Sequence, residues 1–111
     1  GGKMTKQEVL QKYSIPPDLL DKYTKIKKCT SYSDKDIDNI SMIMTLYDAG
    51  FDDTEAEKYM DLCLSCEDTS DKRAAMLTKK RKCTLDEIHS KQKQLDGIDY
   101  LRYKVLQENN K

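Results

Sequence analysis

Four side chains could together hold a soft metal ion: Cys63, Cys66, Cys83 and His89. Zinc sites use cysteine and histidine in fours, and Cys63-x-x-Cys66 has ligand-like spacing. Downstream the pattern fails, because Cys83 and His89 lie six residues apart and share no helical stripe. Cys63 also falls on the inward side of a helical pattern, where reduced cysteine is common packing material. The expectation is no metal and no cofactor, with these four residues as the set to check. With Cys29 the chain has four cysteines, and nothing marks it as secreted, so reduced thiols are expected rather than a disulfide framework. No Ser/His/Asp or Cys/His/Asn grouping stands out, nor a phosphate-cradling glycine loop, nor paired carboxylates beside a cleft. The sequence reads as a non-enzyme.

Charge carries a stronger signal. The 111 residues balance at 20 basic against 20 acidic, but the charges are segregated. Residues 1–33 carry seven lysines and three acids, residues 34–70 two lysines and eleven acids, and residues 71–111 eleven basic residues and six acids, for net charges of +4, −9 and +5. The two ends suit phosphate and the middle repels it. Lys12, Lys22, Lys25, Lys27 and Lys28 are the candidate phosphate contacts, since ammonium groups displace counterions from a duplex. The run Lys79-Lys80-Arg81-Lys82 reads instead as the solvated face of a helix.

The elements that must position these groups are helical. Thr5-Lys6-Gln7-Glu8 is a capping box that opens a short helix to about Lys12, with Val9 and Tyr13 inward. After a turn at Ser14-Ile15, Pro16 and Pro17 open a second helix, whose apolar face is Leu19, Leu20 and Tyr23. Two short helices in this order form a helix-turn-helix pattern. Lys25 to Tyr32 reads as a polar link. Ser33 caps a third helix with Ile37, Ile40, Met44 and Tyr47 on one face, flanked by Ile43 and Leu46, and Gly50 ends it. Asp52 caps a fourth helix, with Glu55 three residues on and Ala56, Tyr59, Met60 and Cys63 inward. The spacing predicts a head over residues 4–66, a linker over 67–70 and a long helix over 71–107.

That long helix has no proline and one isolated glycine, Gly97. Leu85, Ile88, Gln92, Leu95, Ile98, Leu101 and Val105 recur every three or four residues as one apolar seam with a single polar break. A chain this short cannot cover such a seam along its length, so a second copy is the expected partner, in an antiparallel coiled-coil homodimer. No stretch approaches a membrane span and no signal peptide is visible, so a cytoplasmic protein with no membrane partner is expected. Gly1-Gly2-Lys3 reads as an added remnant, with Met4 as the natural start.

Over residues 4–107 the chain resembles the MerR family of bacterial transcription regulators. The likeness is carried by Met4-Thr5-Lys6-Gln7-Glu8-Val9 at the first helix and by Ile15-Pro16-Pro17-Asp18-Leu19-Leu20-Asp21-Lys22-Tyr23 at the recognition helix. Tyr32-Ser33-Asp34-Lys35-Asp36 and Gly50-Phe51-Asp52-Asp53-Thr54-Glu55 are similar to the starts of its next two helices. Glu87-Ile88-His89, Lys91-Gln92, Leu95-Asp96 and Asp99-Tyr100-Leu101 look like its dimerisation helix. The resemblance implies an all-α fold, a helix-turn-helix head before a coiled-coil dimerisation helix, and a homodimer that binds duplex DNA. Three departures stand against it. Asp21 replaces an arginine that contacts DNA in the family, Lys22 replaces a tyrosine, and the wing is shortened to Lys27-Lys28-Cys29-Thr30-Ser31. The competing expectation is a dimeric protein-interaction module that has lost DNA and docks on RNA polymerase or another regulator.

Overall fold

The structure is a computed structural model and describes residues 2–110. It is all-α: α1 (Lys6–Tyr13), α2 (Pro17–Lys27), α3 (Asp34–Asp48), α4 (Asp53–Cys63) and α5 (Ser70–Asn109). No strand forms among the described residues; one isolated antiparallel bridge joins Met4 to Tyr32. The chain divides into two compact units, residues 1–73 and 74–111.

In the first unit, helix boundaries follow local chemistry. Thr5, Ser33 and Asp52 each close a reciprocal capping box, with Glu8, Asp36 and Glu55 as the returning acids. Pro16 and Pro17 open α2 at positions where a missing N–H is harmless. α3 ends in a Schellman turn: Phe51 N–H reaches Leu46 O and Gly50 N–H reaches Tyr47 O, both at 3.0 Å. Gly50 sits at φ 90°, a left-handed conformation that glycine adopts without a Cβ clash. The Thr69 hydroxyl donates to Leu62 O at 2.7 Å and accepts from Arg73 Nε at 3.1 Å, which ties the first turn of α5 to the end of α4.

Val9, Leu20, Tyr23, Tyr32, Ile40, Ile43 and Met60 are the most deeply buried side chains, and α2, α3 and α4 pack on one another around them. Phe51 and Tyr59 meet edge to face, centroids 6.2 Å apart.

Four expectations about this unit are corrected. α2 continues to Lys27, so Lys25 and Lys27 are helical and not part of a link. Tyr32 is a core residue at 2% exposure, because its backbone pairs with Met4 and its hydroxyl meets Thr24 Oγ1 at 2.6 Å. Tyr13 is exposed. The buried stripe of α3 runs through Asp36, Asn39, Ile40, Ile43 and Leu46, and leaves Met44 outside. Two polar residues on that stripe turned it away from the purely apolar reading.

Those two residues form the polar centre of the unit. Asp36 is 3% exposed and accepts from Tyr23 Oη, Lys27 Nζ, Ser33 N–H and Ser33 Oγ, while Asn39 Nδ2 donates to Tyr23 Oη at 3.1 Å. Burial pushes the Asp36 carboxyl up, but bonds from Lys27, Ser33 and Tyr23 together outweigh it and hold it at about 2. A carboxyl depressed on folding contributes stability that is full above its ordinary value and lost as pH falls through the folded value. The shift corresponds to about 2 kcal/mol. Urea unfolding should therefore show the unmodified chain losing about 2 kcal/mol between about pH 4 and pH 2 that an Asp36→Asn variant does not lose.

In the second unit, residues 74–109 continue α5, a helix of 40 residues and about 60 Å in length. It begins one residue before and ends two after the expected span. No residue of α5 is buried. No helix among the described residues is long and apolar enough to cross a membrane.

Candidate functional site

The outward side of α2 carries Asp18, Asp21, Lys22, Lys25 and, one residue past the helix, Lys28, all exposed. Their positions three and four apart follow from the burial of Leu19, Leu20 and Tyr23 on the other side. Three of the candidate phosphate contacts lie on this surface, and the five candidate lysines divide into two groups.

Lys22 and Lys27 are engaged. Lys22 Nζ lies 2.8 Å from Asp53 Oδ1 and 4.7 Å from the centre of the Tyr47 ring, and Tyr47 Oη donates to the same Asp53 oxygen at 2.7 Å. This clamp joins α2, α3 and α4. The Asp53 hydrogen bond raises the Lys22 pKa; bonds from Lys22 and Tyr47 in turn lower that of Asp53. Burial pushes the Tyr47 phenol up, with the Asp53 bond adding to it. Lys27 is the cation of the buried Asp36 network. Its ammonium serves the fold, so its role as a free phosphate contact is revised.

Lys25 and Lys28 form no ion pair among the described residues. Lys12 lies 5.4 Å from the Tyr13 ring centre. Lys28, like Ser14 after α1, caps its helix in the left-handed region, at φ 59°, with its N–H on Thr24 O at 2.6 Å. Glycine is the usual residue there, and a side chain costs about 1–2 kcal/mol.

Asp21, which stands where the resemblance expects an arginine, accepts from Lys6 Nζ at 2.7 Å. The pair links α1 to α2 across the turn, and its hydrogen bond raises the Lys6 pKa. Sequence reasoning missed Lys6, Tyr47 and Asp53 because nothing local to them marks a partner. The pairing spans 15 and 31 residues, beyond any local pattern.

No group of three or more His, Cys, Asp or Glu among the described residues is placed to hold a metal ion. Cys63 is half-buried against Met42, Sγ to Sδ 3.5 Å, and burial pushes its thiol up although Arg73 partly offsets this. A thiol held protonated is a poor ligand. Cys66 and Cys83 are exposed.

On α5 the seam residues Ile88, Leu95, Ile98, Leu101 and Val105 are 50–66% exposed, and Leu85 is half-exposed. Gln92, the polar break, donates to Asp96 Oδ1 at 2.9 Å within the helix. Tyr100, Tyr103 and Leu106 are also exposed, at 45–59%, so the last turns are apolar over a wider arc than the seam.

Comparison of the chain with models of protein families, with curated proteins and with solved structures gave no match.

The clamp yields a direct test. An exposed ion pair contributes little to stability, so Asp53→Asn should leave the thermal midpoint nearly unchanged. It should also return Lys22 toward its ordinary pKa, increasing the free amine. Acetylation followed by mass spectrometry should show Lys22 reacting faster in the variant, with Lys25 and Lys28 unaltered.

Proposed function

We propose that the protein is a MerR-like transcriptional regulator of the bacterial cytoplasm, a homodimer that binds duplex DNA and not an enzyme. α5 pairs with α5 of a second copy in an antiparallel coiled coil, and the heads meet phosphate with the basic end of α2. The observation that carries the DNA reading is Lys28. A lysine occupies a left-handed cap where glycine is cheaper, and it makes no ion pair among the described residues. Backbone strain of this kind is often kept where a side chain has to be presented. Lys25, one turn earlier on the same side, adds to the charge. The dimer reading rests on the exposed seam of α5, a row of large apolar side chains that a second copy would cover.

One observation favours a second reading, a dimeric interaction module without DNA. Lys22 and Lys27 are held by acids, and Asp21 is committed to Lys6. Such a protein would dock on RNA polymerase or another regulator.

A salt titration on duplex DNA separates the two. Lys28→Gly should stabilise the fold slightly, because relief of the left-handed cap, about 1–2 kcal/mol, exceeds the entropic cost of glycine, about 0.5–1 kcal/mol. The same change should weaken binding, and Lys25→Ala with Lys28→Ala should weaken it equally for all sequences and flatten the salt slope by up to about 2. Absence of binding at low salt would leave the interaction module as the function.

The dimer is tested separately. Replacing Ile88 and Leu95 by Glu should yield monomers in sedimentation, since each seam position would bury unpaired charge. An unmodified chain that sediments as a monomer at about ten times the concentration of an ordinary micromolar dimer constant would remove the dimer reading.

A further inference from the structure

We propose that the furrow between α2 and α3 docks a basic helix of another protein through one apolar anchor. Pro16, Leu19, Met44 and Tyr47 line it together with the carboxylates of Asp18 and Asp48, and its volume is about 280 Å³. That is below the ~300–1,000 Å³ of small-molecule sites, and it suits a single large side chain of a helix laid into a groove.

Two features of this furrow work against the isolated chain. Met44 is left 39% exposed on a helix that has a buried stripe. Asp48 ends α3, where the helix dipole disfavours negative charge, and no basic residue stands in that last turn. Neither Asp18 nor Asp48 forms an ion pair among the described residues. The furrow's one cation, Lys22, is neutralised by Asp53 at 2.8 Å. What remains is an apolar slot with two carboxylates that no cation pairs, Asp18 offset only by the start of α2 and Asp48 opposed by the end of α3, complementary to a helix that carries arginine beside a leucine-like anchor. Arginine suits the role because its fork matches a carboxylate with two parallel hydrogen bonds. A duplex would bring phosphate to the same carboxylates and be repelled. The furrow lies at the acidic start of α2, whereas Lys25 and Lys28 stand at its basic end.

The probe is a synthetic amphipathic helix of arginine and leucine, titrated into the isotope-labelled full chain and followed by amide chemical shifts. Its twin, with glutamate for arginine, is the control. Binding should move the signals of Leu19, Met44 and Asp48, and the twin should not bind. Asp18→Asn combined with Asp48→Asn should weaken binding at least fivefold, and Met44→Lys should abolish it with the spectrum otherwise intact. Shifts confined to the α5 seam, equal affinity for the neutralised variant, or the same shifts produced by a short DNA duplex would each overturn the proposal.

Discussion

The first unit depends on one buried carboxylate. Asp36 closes the cap of α3 through Ser33, receives the phenol of Tyr23 from α2, and holds the ammonium of Lys27 at the end of that helix. An ionised group this deep is tolerated only when its oxygens are fully bonded. Here no buried side-chain polar atom is without a partner among the described residues. The geometry of α2 against α3 follows from that demand, because Tyr23, Lys27 and Ser33 must all converge on one side chain. Asn39 completes the chain of bonds by donating to Tyr23. Directly after Lys27 the backbone turns left-handed at Lys28, and the following segment returns to place Tyr32 in the core beside Met4.

Much of this was legible in the sequence because it is local. The capping boxes at Thr5 and Asp52, the Ser33 cap, the prolines at the start of α2, the glycine after α3 and the apolar faces of α2 and α4 depend on residues within a turn or two of one another. The polar centre was not legible. Asp36 reads as an ordinary first-turn acid, and its burial depends on Tyr23 and Lys27, which precede it by 13 and 9 residues. The apolar count on α3 pointed to Met44 and Tyr47, but hydrogen bonding turned the helix to bury Asn39 and Ile43. Tyr32 was misplaced for a similar reason: its burial rests on a backbone pair with Met4, far back in the chain.

The same holds for the candidate site. Composition identified a basic segment but could not say which ammonium groups were free. Lys22, Lys25, Lys27 and Lys28 are equivalent as letters, and the fold makes them unlike. One sits in a surface clamp with Tyr47 and Asp53, one, itself exposed, reaches in to buried Asp36, and two carry no ion pair among the described residues. The −9 of residues 34–70 is thus partly an internal counter-charge, since Asp36 and Asp53 both answer lysines of α2.

α5 obeys a different rule from the unit before it. Its backbone bonds are all local, and no side chain along its 40 residues is buried. Amide hydrogens under Tyr23, Ile40 and Met60 can exchange with solvent only when the core opens as a whole. Those of an uncovered helix exchange by fraying and local opening, at a rate set by helix propensity alone. Any protection of the amides near Leu95 beyond that baseline would therefore come from whatever lies against the seam. Deuterium uptake along α5 is in effect a built-in gauge of how much of the time the helix is covered.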